Sequence, residues 1–127
     1  MNIKQLQKIS HKQAIDKGFW YKADDLDSLR TPSGVQPRNL SELLMLIVSE
    51  LGEACEALRK NSRQIRSKNK KWAKSDGWCK DTFEDELADV IIRICDLAES
   101  EGIDLEWQIS NKLLWNKKRP YKHGKEF

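Results

Sequence analysis

Two acidic pairs, Glu50 with Glu53 and Glu86 with Asp89, sit inside two segments that are otherwise apolar and patterned like helices. Carboxylates three residues apart share one helix face, where like charges repel by roughly a few tenths of a kcal/mol. Two such pairs call for a bound cation. Convergent carboxylates without His or Cys beside them suit a hard, oxygen-seeking ion, Mg²⁺ first and Mn²⁺ second.

The elements that must position these acids follow from apolar spacing. Asn39 with Glu42 three residues on forms a capping-box pattern that opens a helix with the stripe Leu40, Leu43, Leu44, Ile47, Val48, Leu51, Ala54, Cys55 and Leu58. Asp81 with Glu84 repeats the pattern before Phe83, Leu87, Val90, Ile91, Ile94, Leu97 and Ala98, and Gly102 ends that run. At about 100° per residue, Glu50 and Glu53 lie about 80° and 140° to one side of their stripe's centre, and Glu86 and Asp89 repeat those angles in the same sense. Flanks of the same sense meet when two helices pack antiparallel. Glu50 and Glu53 also lie late in their helix while Glu86 and Asp89 lie early in theirs, so antiparallel packing predicts one four-carboxylate site. Glu56, opposite the stripe and near Arg59 and Lys60, reads as a surface residue; Glu42, Glu84 and Asp85 read as helix-start residues that complement the macrodipole.

A first helix is expected from Ile3 to Lys17, with Ile3, Leu6, Ile9, Gln13 and Ala14 as a weak stripe and Gly18 as its stop. Residues 18 to 38, with Pro32, Gly34 and Pro37, read as a loop. Residues 61 to 80 form a long basic connection, expected to be a mobile functional loop with a short helix around Arg66 to Lys74. Asp104 caps a fourth helix carrying Leu105, Ile109, Leu113 and Leu114; Pro120 ends it before a basic tail at 119–127. No strand signal occurs. The expectation is an all-α, antiparallel four-helix-type bundle forming a single domain over residues 1–127. Ile92, with Ala88 and Cys95, forms a second apolar strip that a lone bundle would leave uncovered, which predicts a homo-oligomer.

Composition narrows the function classes. Hydrophobic residues make up 39% and charged residues 34%, the balance of a soluble globular chain. The longest apolar run, Leu43 to Val48, is too short to span a bilayer, and MNIKQLQKIS lacks the apolar stretch of a secretory signal, so no membrane association and a cytoplasmic location are expected. Cys55, Cys79 and Cys95 have no CxxC spacing and read as reduced thiols acting as small buried hydrophobes. The net charge of +3 makes nucleic acid an unlikely partner, although Lys and Arg crowd residues 59–80 and the tail from Lys112 to Lys125. With Trp72 and Trp78 interleaved, these leave a nucleic-acid-binding or regulatory helical protein as the alternative.

LLMLIVSELGEACEALR (Leu43 to Arg59) and FEDELADVIIRICDLA (Phe83 to Ala98) resemble the two metal motifs of the MazG-like branch of the all-α nucleoside triphosphate pyrophosphohydrolases, and NKLLWNKKRPYKHGKEF (Asn111 to Phe127) is similar to that family's basic closing segment. A weaker echo lies in Lys17-Gly18-Phe19-Trp20. The resemblance covers residues 39–60 and 81–127. It implies Mg²⁺-dependent hydrolysis of a nucleoside triphosphate, a dNTP foremost, to a nucleoside monophosphate and pyrophosphate, in a homodimer or homotetramer with sites near the interfaces. Glu50, Glu53, Glu86 and Asp89 would hold the metal, and Glu53, by its outward angle, would relay the proton of the attacking water. Lys112 and Asn116, four apart on the fourth helix, would contact phosphate or sugar, with Arg119 and Lys122 adding charge. Some branches carry a glutamate directly before the first metal acid; Ser49 stands there in this chain. Trp20, expected as an exposed ring ahead of the second helix, is the candidate for stacking on the base, with its alternative a ring capping the core edge. Trp107 and Trp115 are expected to pack, and His123 to be solvated.

Overall fold

The computed structural model describes residues 1–24, 26, 29–64 and 77–127. These form four helices, α1 (Ile3–Asp16), α2 (Leu40–Arg59), α3 (Phe83–Ser100) and α4 (Leu105–Lys117), followed by a short 3-10 turn, Tyr121–Gly124. Among the described residues there is no strand; a lone antiparallel bridge joins Lys22 to Val35. The fold is all-α. The helix expected around Arg66 to Lys74, and Trp72 with it, lie outside the described residues.

Each helix begins on a side-chain cap that accepts a bond from an otherwise unpaired N–H. Asn39 accepts from Glu42, and Asp104 from Trp107, as their spacing predicts. Asn2 and Gln5 complete a reciprocal capping box on α1. The start of α3 differs from the expectation by one residue. Asp81 adopts a left-handed φ of 59° and donates its N–H to Asp85 Oδ2, so the cap is Thr82, whose hydroxyl accepts from the Asp85 N–H at 3.3 Å. Gly18 and Gly102 follow α1 and α3 with φ of +83° and +66°, which only glycine adopts without strain.

Helix α3 is the centre of the molecule. Leu97, near its end, packs against the cluster that holds Leu43 at the start of α2, while Ser62, just past α2, accepts the Phe83 N–H at 3.0 Å at the start of α3. The two helices therefore run antiparallel. Helix α1 is antiparallel on the other side, with His11 bonded to Asp96 and Gln7 Nε2 donating to the Ile103 carbonyl. Helix α4 touches little, holding to the start of α1 through Lys4 with Asp104 and Glu106, and it has no buried residue.

Two faces depart from the apolar spacing. On α1 the buried residues are polar, Gln7, Ser10 and His11, whereas Ile9 is 46% exposed. Gln7 and His11 are tolerated because they are bonded: Gln7 bridges Ile103 and Leu105, and His11 is held on both ring nitrogens. On α2 the buried line is Leu43, Glu50, Ala54 and Ala57, rotated from the stripe's centre toward Glu50, which leaves Leu44, Val48, Leu51 and Cys55 exposed. Cys95 is buried as expected of a small hydrophobe, and burial pushes its thiol pKa up; Cys55 is not buried.

The chain leaves α2 and returns to α3 through a closed neck. Ser62 Oγ donates to the Asp81 carbonyl, Gln64 donates its N–H to Glu84, and the Gln64 side chain bonds both the Gly77 carbonyl and the Cys79 N–H. The Gln64 N–H also holds the Glu84 carboxyl below its ordinary range.

Candidate metal centre and cleft

The antiparallel pairing of α2 and α3 brings Glu50, Glu86 and Asp89 together, with one carboxylate oxygen of each within 4.8 Å of the others. Glu50 and Glu86 are buried and Asp89 is half-buried. Glu53 extends from the same face of α2 into solvent beside Glu50.

The protonation of Asp89, Glu86 and Glu53 carries the mark of burial and of crowded negative charge. Loss of water raises the Asp89 and Glu86 carboxyls first; the charges of Asp85 and Glu50 then add to Asp89, and those of Glu53 and Asp85 to Glu86. Glu53 is raised by its hydrogen bond to Glu50 and by that neighbour's charge. Among the described residues no side chain donates a hydrogen bond to Glu86 or Asp89. The cation that does reach the group is Arg93, whose Nε donates to Glu50 Oε1. An all-oxygen cluster that is electrostatically costly when empty, and that already draws a guanidinium, fits a divalent cation. A second acidic group, Asp81, Asp85 and Glu86, is accounted for by the turn that starts α3, since Asp85 is bonded to the Asp81 N–H.

Glu50, Asp89 and Arg93 form one side of a cleft of about 430 Å³ between α1, α2 and α3. Its apolar wall comes from Phe19, Leu43, Leu46, Ile92 and Leu97, and Lys17, Arg38 and Arg93 place cations around it. That combination suits a ligand with an apolar or aromatic part and an anionic part.

At the far end of α3, Asp96 is fully engaged. It accepts from His11 Nδ1 at 2.7 Å and from Trp20 Nε1 at 2.9 Å and 3.0 Å, while His11 Nε2 pairs with Ser33 Oγ at 2.9 Å. This overturns the expectation of an exposed Trp20 and agrees with its alternative, a ring at the core. Its indole is 3% exposed, packed edge-on against His11, covered by the Arg38 guanidinium and clustered with Val35 and Leu43. The exposed aromatic ring at the cleft is its neighbour Phe19, at 65%.

Lys112, Asn116, Arg119 and Lys122 are all exposed on α4 and the tail, and none lines the cleft. Trp107 and Trp115, expected to pack, are 60% and 63% exposed. Arg93, which lines the cleft and is bonded to Glu50, is the residue that the motif spacing passes over, although its position, four residues after Asp89 on the same helix face, is the available signal. No helix among the described residues is long and apolar enough to cross a membrane. Comparison of this chain with protein-family models, with curated proteins and with solved structures gives no match.

Proposed function

We propose that this chain is a MazG-like nucleoside triphosphate pyrophosphohydrolase, cleaving a (d)NTP between its α and β phosphates to a nucleoside monophosphate and pyrophosphate with Mg²⁺ as cofactor. The observation that carries the reading is the meeting of Glu50, Glu86 and Asp89 across two antiparallel helices, at the edge of a cleft with both apolar and cationic walls. The ExxE and ExxD motif resemblance supports it. A divalent ion on these carboxylates would supply Lewis acidity toward phosphate oxygens and neutralise charge on the leaving pyrophosphate.

The chain's own groups divide the remaining work. Glu53 would take a proton from the attacking water, a role supported by its exposure and by the rise of its carboxyl beside Glu50. Arg38 and Lys17 offer charge to the phosphates, and Phe19 offers a ring to the base in place of the buried Trp20. A homo-oligomer would cover the apolar residues left open, Leu44, Val48 and Leu51 on α2, Ile91 and Ile92 on α3, and Leu113, Leu114 and Trp115 on α4.

The test is pyrophosphate release from a panel of common and modified NTPs and dNTPs with Mg²⁺. Wild type should release it from at least one nucleotide, and Glu53→Gln and Asp89→Asn should each lower turnover about 100-fold or more. Release that persists in both variants, or that occurs equally with a chelator present, would remove the carboxylate mechanism.

A further inference from the structure

Arg93 has an arrangement that the proposed chemistry does not use. Its Nε is bonded to Glu50, the most buried acid of the cluster, while 43% of its own side chain stays accessible and faces the same cleft. A guanidinium offers five N–H donors, and among the described residues only Nε is engaged. Four residues before it, Asp89 shares its helix face, so Arg93 stands over the carboxylates as a tethered positive charge.

We propose that Arg93 is the counter-cation of the metal-free site: it holds Glu50 until a divalent ion arrives, then releases it and turns its guanidinium to the anionic part of the ligand in the cleft. The inference rests on the metal-site reading above. A metal ion drawn to Glu50 meets the Arg93 charge on the same carboxylate, and two positive charges at that spacing repel, so the two compete. The released fork matches a phosphate, which accepts two parallel N–H bonds where a carboxylate now accepts one. Arrival of metal thereby adds a forked phosphate donor to the charges of Lys17 and Arg38.

The measurement is Mn²⁺ binding without nucleotide, followed by pyrophosphate binding with Mn²⁺ present, for wild type, Arg93→Gln and Arg93→Lys, with helical content checked for each. Arg93→Gln should bind Mn²⁺ roughly tenfold more tightly, the scale of one charge-assisted hydrogen bond, and pyrophosphate more weakly. Arg93→Lys, which keeps the charge, should stay near wild type for Mn²⁺. Weaker or unchanged Mn²⁺ binding by Arg93→Gln would overturn the proposal, because Arg93 would then orient Glu50 for the metal rather than compete with it. Tighter Mn²⁺ binding with pyrophosphate affinity unaltered would equally overturn it. Absence of Mn²⁺ binding by wild type would bring down the metal reading and this inference together, an outcome distinct from both.

Discussion

The two halves of α3 hold shielded carboxylates under opposite conditions. Toward its C-terminus, Asp96 is surrounded by donors: the His11 ring and the Trp20 indole occupy both its oxygens. Toward its N-terminus, Glu86 and Asp89 face Glu50 and receive no hydrogen bond from a described side chain, and their pKa values are raised by burial and by each other's surroundings. A buried acid with its partners in place belongs to the architecture. Shielded acids without such partners form a group that could hold a cation.

That contrast is open to direct attack, beginning where the effect should be largest. Trp20→Ala empties the cluster of Val35 and Leu43 and removes one of the two donors to Asp96, and should cost about 3–5 kcal/mol of stability in denaturant unfolding; a loss under 1 kcal/mol would mean that the C-terminal half is not the architectural one. Asp96→Asn leaves a single acceptor oxygen for two N–H donors and should cost about 1–3 kcal/mol, with metal affinity unchanged. Glu86→Gln should do the reverse in metal-free protein, raising the melting temperature by about 2 °C near neutral pH. The sign follows from linkage. The folded-state pKa of Glu86 lies above its unfolded value, so folding binds the proton more tightly, and the destabilisation is fully present above the raised pKa and disappears as pH falls below the unfolded one. The advantage of the variant should therefore shrink toward pH 4. A melting-temperature gain that persisted at low pH would locate its cause in packing rather than charge.

Much of the N-terminal half of α3 could be read in the sequence because it depends on local order. Helical periodicity fixes which residues share a face, and the common sense of the two acidic flanks requires antiparallel helices. Asn39 and Asp104 announce their helices because a cap is a contact with residues three away. The C-terminal half escaped for the opposite reason. His11 and Asp96 are 85 residues apart, and Trp20 and Asp96 are 76 apart. Nothing in the neighbourhood of a histidine on a weakly apolar helix reveals a distant carboxylate, so α1 looked like a helix that would bury Ile9 rather than Ser10 and His11. Trp20 looked exposed for the same reason, its partner being far along the chain. Thr82 displaced Asp81 as a cap through backbone geometry, a left-handed turn that composition does not encode. Arg93 was legible in principle. It shares the helix face of Asp89, and a basic residue four places past a metal-type acid is a local pattern that can be sought in other chains.

The neck between α2 and α3 fixes the two helices to each other through hydrogen bonds of their own ends. Because Ser62 and Gln64 fasten the departing chain to Asp81, Glu84, Gly77 and Cys79, the helices are tied together irrespective of what passes between residues 64 and 77. Doubling the length of such a closed segment costs only about 0.6 kcal/mol in entropy. The neck is thus a graft point: this segment can be exchanged, lengthened or recoded by selection while Glu86, a few residues further along α3, keeps its place opposite Glu50.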